Sequence, residues 1–420
     1  QNVAASAPKI PAAPMKQKGD STRLREWKKW GGGPWEWLSW EVLPTWLGGQ
    51  VRHVRKMDRI VPFVYMVHKR VDYFRHAMES LVASDFPSQS TPLIVSHDGL
   101  VPEMLLEVQQ LKEQFPYLIQ LVHPYSCWDH EHSFPGDDPS LNANYTGDVY
   151  GNPRSSWVTC AKHHFTWMMQ TTWQLDLNSV LGTTNLVVDT MFFMEEDYVV
   201  SPNIYETLLD GLDMMEQTAA SDIETQAATA KAVKSTTLKD YFGLCPDVTD
   251  FAVSDRPPKE LGEGWVWKSF RTGPMVLWRH AWEAVVSNRH IYCTLDEYNW
   301  DWTILQMQTL NKVPKLVASP SRPQVFHFGA SGMHGGEDMN HVAGQMWNRT
   351  PKVFSGGMNV LPWEGSLQYS SDFIPNLNGG WGHPADHRHC LKLLGGTGTE
   401  TLPDEIRQQF GAYIYGIVPL

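Results

Sequence analysis

Residues 186–198 read LVVDTMFFMEEDY, and this stretch decides the fold class of the chain. It begins with a largely apolar, partly β-branched run that is short enough to be a buried strand rather than a helix. A segment with helical spacing begins shortly afterwards, at Ile204. The carboxylates of Glu195, Glu196 and Asp197 therefore come where a core strand ends and a helix is about to begin.

This position suits a ligand site, because ligands of open α/β sheets bind at the carboxyl ends of the strands. A cluster of carboxylate oxygens there suits Mg²⁺ or Mn²⁺, either of which can hold a diphosphate. Taken alone, a Glu-Glu-Asp triplet is more often a solvated acidic turn, since short motif matches arise by chance. The rest of the chain has to decide between the two interpretations.

Strand-like runs also occur earlier in the chain, over residues 60–67, 93–96 and 118–122. Helical spacing follows the first two, over residues 73–81 and 102–114, and this alternation predicts a parallel sheet with helices on its faces. The polar ends of parallel strands fall at one edge, so we expect Arg70, Asp98 and Asp197 near one another. Further predictions are helices over 161–175 and 281–287, strands over 275–278 and 324–327, and an exposed helical insertion over 212–235.

The composition is that of a globular protein, with 42% hydrophobic and 19% charged residues in a chain of 420. A formal net charge of -12 argues against nucleic acid or an anionic membrane surface as the main partner, because phosphate binding needs a basic face. Tryptophan is abundant, at 19 residues. Aromatic planes can cover the apolar faces of sugar rings, although core packing is the ordinary role of any single tryptophan.

Several features of the sequence indicate in which cellular compartment the protein works. The five cysteines form no CxxC or CxxH pattern, which argues against a zinc site. Sequons at Asn144 and Asn348 would permit N-glycosylation in a secretory compartment. No apolar run reaches the ~18–20 residues of a membrane span. The chain opens on Gln1, so we expect a mature or truncated lumenal portion, with a membrane anchor only in the full-length protein.

Several motifs occur together between about residues 60 and 392: VHKR at 67–70, SHD at 96–98, KHH at 162–164, EED at 195–197, YNWDWT at 298–303, FH at 326–327, GMH at 332–334 and NGGWG at 378–382. With these motifs in this order, the sequence resembles the Golgi N-acetylglucosaminyltransferase II family, which adds β1,2-linked GlcNAc to the α1,6-arm mannose of N-glycans. YNWDWT followed by FH and GGWG is the specific part of the resemblance.

The resemblance implies a GT-A type α/β fold, in which a mostly parallel nucleotide-binding sheet flanked by helices merges with an acceptor-binding region. It implies UDP-GlcNAc as donor, UDP as product, Mn²⁺ (or Mg²⁺) as cofactor, inversion at the anomeric carbon and the Golgi lumen as location. The expected organisation is a stem over 1–20, a Trp-rich extension over 21–58, a catalytic domain over 59–394 and a tail over 395–420. The catalytic domain divides into a nucleotide-binding half, 59–200, and an acceptor half, 201–394.

The same resemblance implies roles for individual residues. Asp197 and His327 match the metal ligands, and Asp301 matches the catalytic base. Arg70 or Lys162 would add positive charge near the diphosphate. The residues at donor-binding positions are Val67, His68, Lys69, Arg70, Asp98, Lys162, His163, His164, Glu195 and Glu196. Trp300 and Trp302 would flank the base, exclude water and contact the acceptor.

Each of these roles has a structural alternative. Asp98 and Asp301 could cap the helices that follow them, and His327 could be a core histidine, with His334 as a competing ligand. Glu195 and Glu196 would orient the turn or the metal-bound waters rather than bind the metal.

Two residues depart from the family pattern. Cys160 stands where the family has a polar amide, and Lys69 stands in place of an asparagine. The resemblance also implies a Cys293–Cys390 disulfide, and with five cysteines at least one stays unpaired within the chain.

Three other functions stay open at this point. The first is the same chemistry on another mannose acceptor, either the α1,3 arm or an O-linked mannose. The second is a catalytically inactive sugar-binding protein, and the third is a metal-dependent hydrolase of UDP-GlcNAc.

Overall fold

A computed structural model describes residues 59–128, 156–184, 186–229, 237–246, 263–267, 273–320, 324–329, 359–361, 380–381 and 384–395. The features predicted from the sequence that lie outside these ranges are the stem, the Trp-rich extension, nearly all of the tail, His334 and both sequons, Asn144 and Asn348. No helix in the described part of the chain combines the length and the apolar character needed to cross a membrane.

The first half of the chain alternates strands and helices as predicted. In order, its elements are β1 (Phe63–Val67), α1 (Val71–Val82), β2 (Leu93–His97), α2 (Pro102–Gln110), β3 (Leu118–Val122), α3 (Ser156–Gln174), α4 (Leu177–Leu181), β4 (Thr190–Glu195), β5 (Tyr198–Val200) and α5 (Ile204–Thr229). Short 3₁₀ helices follow α2 and α5, over Leu111–Glu113 and Leu238–Asp240.

The second half is less regular. Its elements are β6 (Tyr241–Leu244), β7 (Glu263–Trp267), β8 (Met275–Trp278), α6 (Arg279–Ser287), α7 (Arg289–Thr294), α8 (Trp300–Thr309), β9 (Leu316–Pro320), β10 (Val325–His327), β11 (Asn359–Leu361) and α9 (Pro384–Leu394).

Among the described residues, nine strands form one mixed sheet in the order β11-β7-β9-β6-β8-β4-β1-β2-β3. The pairs β1–β2, β1–β4, β2–β3, β6–β9 and β7–β11 are parallel, and β8 pairs antiparallel with both β4 and β6. The remaining pair, β7–β9, is antiparallel. Strands β5 and β10 form a separate antiparallel pair. The predicted α/β class with a mostly parallel sheet is confirmed.

The register of the central strands aligns their carboxyl ends. Val67 of β1 pairs with His97 of β2, and Met66 pairs with Glu195 of β4. These three strands are apolar and almost wholly buried, as expected for a parallel sheet covered on both faces. The polar residues that follow them, which include Arg70, Asp98 and Asp197, therefore leave the sheet at one edge.

Two predicted elements differ from the structure. Strand β4 begins at Thr190 rather than Leu186, and the residues before it make one isolated bridge, between Val187 and Arg59. The predicted exposed insertion from residue 212 is instead a continuation of α5 as far as Thr229. The two turns of α5 that follow residue 212 are not fully exposed. Leu212, Met215 and Ala219 are buried there, and with Leu208 they form one buried stripe at helical spacing.

Candidate active site

The acidic triplet spans the end of β4 and the turn to β5, since Glu195 is the last residue of β4 and Glu196 and Asp197 form the turn. Strand β5 pairs with β10 so that Tyr198 lies opposite His327, and this pairing brings two distant parts of the chain together. As a result, His327 Nε2 lies 3.2 Å from Asp197 Oδ2. The backbone N–H of Phe328 also donates to the carbonyl oxygen of Asp197, at 3.0 Å. The two residues expected to bind the metal are thus neighbours.

Gly329 makes this close approach possible. A Cβ atom at Gly329 would lie 3.0 Å from both Cβ and Cγ of Asp197, and closer still to its Oδ2. Any other residue would therefore displace the Asp197 carboxylate or the backbone after β10. Glycine at this position is explained by the space that the carboxylate needs.

Arg70 completes the charged cluster from the end of β1. Its Nε donates to Glu196 Oε1 at 2.8 Å, and its Nη1 lies 2.8 Å from Asp197 Oδ2. The guanidinium also lies over the ring of Tyr73, 5.2 Å from the centroid. Glu196 and Asp197 are almost fully buried, whereas Arg70 is partly exposed. The structure therefore places the predicted cation beside the predicted metal ligand.

The pKa values of the three carboxyl groups in the triplet are shifted in different directions. Burial raises the pKa of Glu195 to about 8 and that of Glu196 to about 7, with repulsion from Asp197 adding to both shifts. Burial also acts to raise the pKa of Asp197, but the hydrogen bond from His327 and the charge of Arg70 outweigh it and lower that pKa. Asp197 is thus the member of the triplet whose pKa is lowered rather than raised.

The side chains around Asp197 fit a divalent metal ion. Asp197 Oδ1 is buried and makes no hydrogen bond within the described part of the chain. His327, beside it, keeps a third of its side chain exposed, so the expectation that it could be an ordinary core histidine is wrong. A carboxylate oxygen and an imidazole nitrogen form a donor set that Mn²⁺ accepts.

Asp98 follows β2 and is held by three neighbours. Its N–H donates to the carbonyl of Val67 at 2.8 Å, and its Oδ1 accepts from His123 Nδ1 at 3.1 Å. Its Oδ2 lies 3.1 Å from the Sγ of Cys160, which forms a disulfide with Cys127. Asp98 does not cap α2, whose N-cap residue is Val101 and has no side-chain cap.

An aromatic side chain that the sequence analysis did not single out lies beside these residues. The Trp128 ring stacks on His68 with centroids 4.6 Å apart, and Lys69 Nζ lies 4.7 Å from the Trp128 centroid. Trp128 is 47% exposed, although most large apolar side chains of the described core are buried. Burial lowers the pKa of His68. Trp128 follows a cysteine a few residues beyond the end of β3, but cysteine spacing in the sequence does not give the pairing that places this loop.

The three residues of the KHH motif are buried within α3 and point to different partners. Lys162 Nζ donates to the carbonyl of Glu297 and to the hydroxyl of Thr303. The partners of the other two are a carboxylate and a hydroxyl: His163 Nε2 lies 2.8 Å from Asp386 Oδ1, and His164 Nε2 lies 2.8 Å from Ser96 Oγ. This differs from the expected donor contacts, because each named polar atom is engaged by protein groups in the core.

Asp301 lies in the first turn of α8. Its Oδ1 accepts from the N–H of Trp302 at 2.8 Å. The N-cap residue is Asn299, so Asp301 does not have the alternative N-cap role. Burial raises the pKa of Asp301 to about 7, and the nearby charge of Glu297 adds to the shift. A carboxylate with this pKa is suited to accept a proton near neutral pH.

Trp300 belongs to the core rather than to an acceptor surface. Its ring stacks on Phe165 with centroids 3.9 Å apart and meets Phe193 edge-on at 5.3 Å. The expected acceptor contact of Trp300 is therefore replaced by packing, whereas Trp302 stays partly exposed. Because Phe193 is near the carboxyl end of β4, this packing positions the start of α8, and with it Asp301, near the edge that carries Asp197.

A family model described as N-acetylglucosaminyltransferase II (MGAT2) matches residues 49–390 of the chain. The chain belongs to this family. An Arabidopsis thaliana protein named alpha-1,6-mannosyl-glycoprotein 2-beta-N-acetylglucosaminyltransferase is 30% identical over 356 residues, or 80% of this chain and 74% of that protein. Proteins of the same name from Mus musculus and Homo sapiens are 26% and 25% identical, covering 78% and 81% of this chain and 72% and 75% of their own lengths.

The disulfide expected for this N-acetylglucosaminyltransferase II family member is confirmed. Cys293 of α7 is bonded to Cys390 of α9, with Cα atoms 5.5 Å apart. Cys245 is buried and takes part in neither of these disulfides, which agrees with an odd number of cysteines. The Cys127–Cys160 disulfide was not expected, and it occupies the position where Cys160 departs from the family pattern.

Proposed function

We propose that this protein is an inverting glycosyltransferase that moves GlcNAc from UDP-GlcNAc, in β1,2 linkage, onto the α1,6-arm mannose of N-glycans. Family membership and the names of the relatives support this reaction. The observation that carries the proposal is the convergence of Asp197, His327 and Arg70 at the sheet edge. Helix α8, which carries Asp301, packs on β4 through Trp300 and Phe193.

The charged cluster supports a role in holding the diphosphate of the donor. Asp197 and His327 would hold a Mn²⁺ or Mg²⁺ ion, which would supply positive charge to the diphosphate oxygens. Arg70 is the protein's own cation at this place, and its two carboxylate contacts orient it. The carbonyl oxygen of Val67 accepts a hydrogen bond from the N–H of Asp98. Asp98 would line the donor side together with His68 and Lys69.

Asp301 is the proposed general base. It accepts the proton of the mannose 2-hydroxyl while that oxygen forms a bond to the anomeric carbon of GlcNAc. The bond from the same carbon to the UDP oxygen breaks on the opposite face, so the configuration inverts and UDP leaves. The pKa of about 7 means that a substantial fraction of Asp301 is ionised at neutral pH and ready to accept the proton.

We further propose that the protein works in the Golgi lumen. The Cys127–Cys160 and Cys293–Cys390 disulfides fit an oxidising secretory compartment. The acceptor is then the N-glycan of a glycoprotein passing through that compartment, and the acidic net charge is consistent with a partner other than nucleic acid.

The test is transfer from UDP-GlcNAc to two N-glycan acceptors, with Mn²⁺ or with EDTA. One acceptor carries GlcNAc on the α1,3 arm, and the other carries none. We expect product only on the first acceptor, at the α1,6-arm mannose, and loss of product with EDTA. Product on the bare acceptor would overturn the arm specificity. No transfer to either acceptor, with UDP still bound, would favour a sugar-binding protein, and acceptor-independent release of GlcNAc would favour a hydrolase.

A further inference from the structure

We propose that Lys162 is a positioning residue for the catalytic base, because its buried side chain joins α3 to the N-terminal turn of α8 and thereby fixes Asp301. This inference rests on the proposed function, since the role of Asp301 as base belongs to that proposal. It assigns Lys162 to the support of the base rather than to the donor diphosphate.

The hydrogen bonds of Lys162 lie on both sides of Asp301 along the chain. Nζ donates to the carbonyl oxygen of Glu297 at 2.8 Å and to the hydroxyl of Thr303 at 3.0 Å. The Thr303 hydroxyl in turn donates to the carbonyl of Asn299, the N-cap residue, at 2.7 Å. One side chain of α3 therefore holds the entry to α8 and its first turn together, with the base between the two contacts.

Aromatic rings enclose the remaining sides of the Lys162 amine. Nζ lies 4.3 Å from the ring centroid of Trp381 and 5.0 Å from that of Tyr292. Trp381 is itself fixed, because its N–H donates to Asp296 Oδ1 and its Nε1 donates to the carbonyl of Cys293, each at 2.8 Å. Trp381 of the NGGWG motif, which the proposed chemistry does not use, thus has a physical role in contacting this amine.

The burial of Lys162 excludes it from a solvent-facing diphosphate pocket. Its relative exposure is 0%, the same as that of Trp381. Burial lowers the pKa of Lys162 to about 7, while the carboxylates of Glu297, Asp386 and Asp296 oppose the shift. The two hydrogen bonds need only N–H donors, and an amine supplies these whether or not it carries a charge.

The part of α3 that carries Lys162 is held to neighbouring helices by further bonds. His163, the residue after Lys162 in α3, bonds to Asp386 of α9, and both side chains are fully buried. Helix α9 is also bonded covalently to α7 through Cys390 and Cys293. An error in the placement of the base by about 1 Å can cost about a hundredfold in rate, so a rigid link of this kind has a catalytic consequence.

The test compares Lys162→Met, Thr303→Val and the double variant with matched controls. Lys312→Met makes the same change at an exposed lysine just after α8. Thr309→Val makes the same change at the far end of the helix, where the hydroxyl donates to the carbonyl of Leu305. For each purified, folded variant we would measure kcat, the KM for UDP-GlcNAc and the Kd of UDP by calorimetry.

We expect each single variant of the Lys162–Thr303 pair to lower kcat by about tenfold to a hundredfold, with the donor KM and UDP Kd within about twofold of the parent values. The double variant should be no worse than the more severe single variant, because the two changes break one link. Both control variants should keep the parent kcat. If Lys162→Met does not fold, Thr303→Val alone carries the same expectation.

Three results would overturn the inference: a weakened UDP Kd with an unchanged kcat in Lys162→Met, a double variant whose loss is the product of the single losses, or an unchanged kcat in Thr303→Val. Asp301→Asn, measured in parallel, separates this inference from the proposed function. An active Asp301→Asn enzyme would refute the assignment of the base. An inactive one, beside active Lys162 and Thr303 variants, would refute only the positioning role.

Discussion

Replacing Gly329 with alanine is the sharpest test of the charged cluster. The added Cβ would lie 3.0 Å from Cβ and Cγ of Asp197, whereas carbon atoms in favourable contact are about 3.5–4.0 Å apart. The Asp197 carboxylate would have to retreat by about 0.5–1 Å to restore that separation. This displacement is directed at the residue that we expect to bind the metal.

The size of the effect follows from the contacts that would be stretched. Asp197 Oδ2 lies 2.8 Å from Arg70 Nη1 and 3.2 Å from His327 Nε2. Hydrogen bonds to charged groups contribute about 1.5–3 kcal/mol each, and weakening one of them by half corresponds to about 1 kcal/mol. Overpacking a filled site itself costs about 1–3 kcal/mol. The weakened hydrogen bonds and the displaced Asp197 carboxylate together should lower the metal affinity by about 10–100-fold.

The assay is a Mn²⁺ titration of transferase activity, beside a thermal melt of the same preparations. Gly182→Ala is the matched control, because Gly182 has φ +63° and a methyl group added there would meet no other atom within 4 Å. That variant should lose about 1–2 kcal/mol of stability from backbone strain, with no change in Mn²⁺ dependence. A Gly329→Ala enzyme with the parental Mn²⁺ dependence would refute the assignment of Asp197 as a metal ligand.

Four further outcomes are expected. Because Asp301 must be ionised to accept a proton and its pKa is raised to about 7, kcat should rise as the pH increases to about 7 and then level off, and Asp301→Asn should abolish transfer while UDP affinity stays within a few-fold. Replacing Cys127 and Cys160 together with serine should raise the donor KM with little change in kcat, because Cys160 Sγ lies 3.1 Å from Oδ2 of Asp98, which we propose contacts the donor; an unchanged donor KM would argue against this role. Replacing Cys293 and Cys390 with serine should lower the free energy of unfolding by about 2–5 kcal/mol in a denaturant titration, and a loss below about 0.5 kcal/mol, the scale of an ordinary surface substitution, would contradict the role of this disulfide as a tether.

The sequence predicts the central strands well, because a strand that is buried on both faces is a continuous run of apolar residues. The strand predicted over residues 118–122 has the same limits as β3. Local pattern is weaker where an extended segment enters a sheet without pairing, so β4 begins four residues later than predicted. It also fails at residue 212, since a helix with a narrow buried stripe has low overall hydrophobicity and resembles an exposed insertion.

The candidate site could be predicted only in part, because its contacts join residues far apart in the chain. The pairing of β5 with β10 that brings His327 to Asp197 leaves no local signal. The KHH motif illustrates the limit further, since successive residues of a helix point about 100° apart. A pattern of adjacent residues therefore cannot say that Lys162, His163 and His164 face α8, α9 and β2 in turn.

The motifs of the chain form two physical units rather than a series of separate donor contacts. In the first, VHKR and EED meet at the edge of the sheet, where Arg70 and Asp197 pair. In the second, Lys162 of KHH bonds to Thr303 of YNWDWT and lies over the ring of Trp381 of NGGWG. Trp300 connects the units by packing on Phe193 of β4. We expect packing within the core to set the position of the proposed base relative to the charged cluster, so substitutions there should change kcat before they change donor affinity.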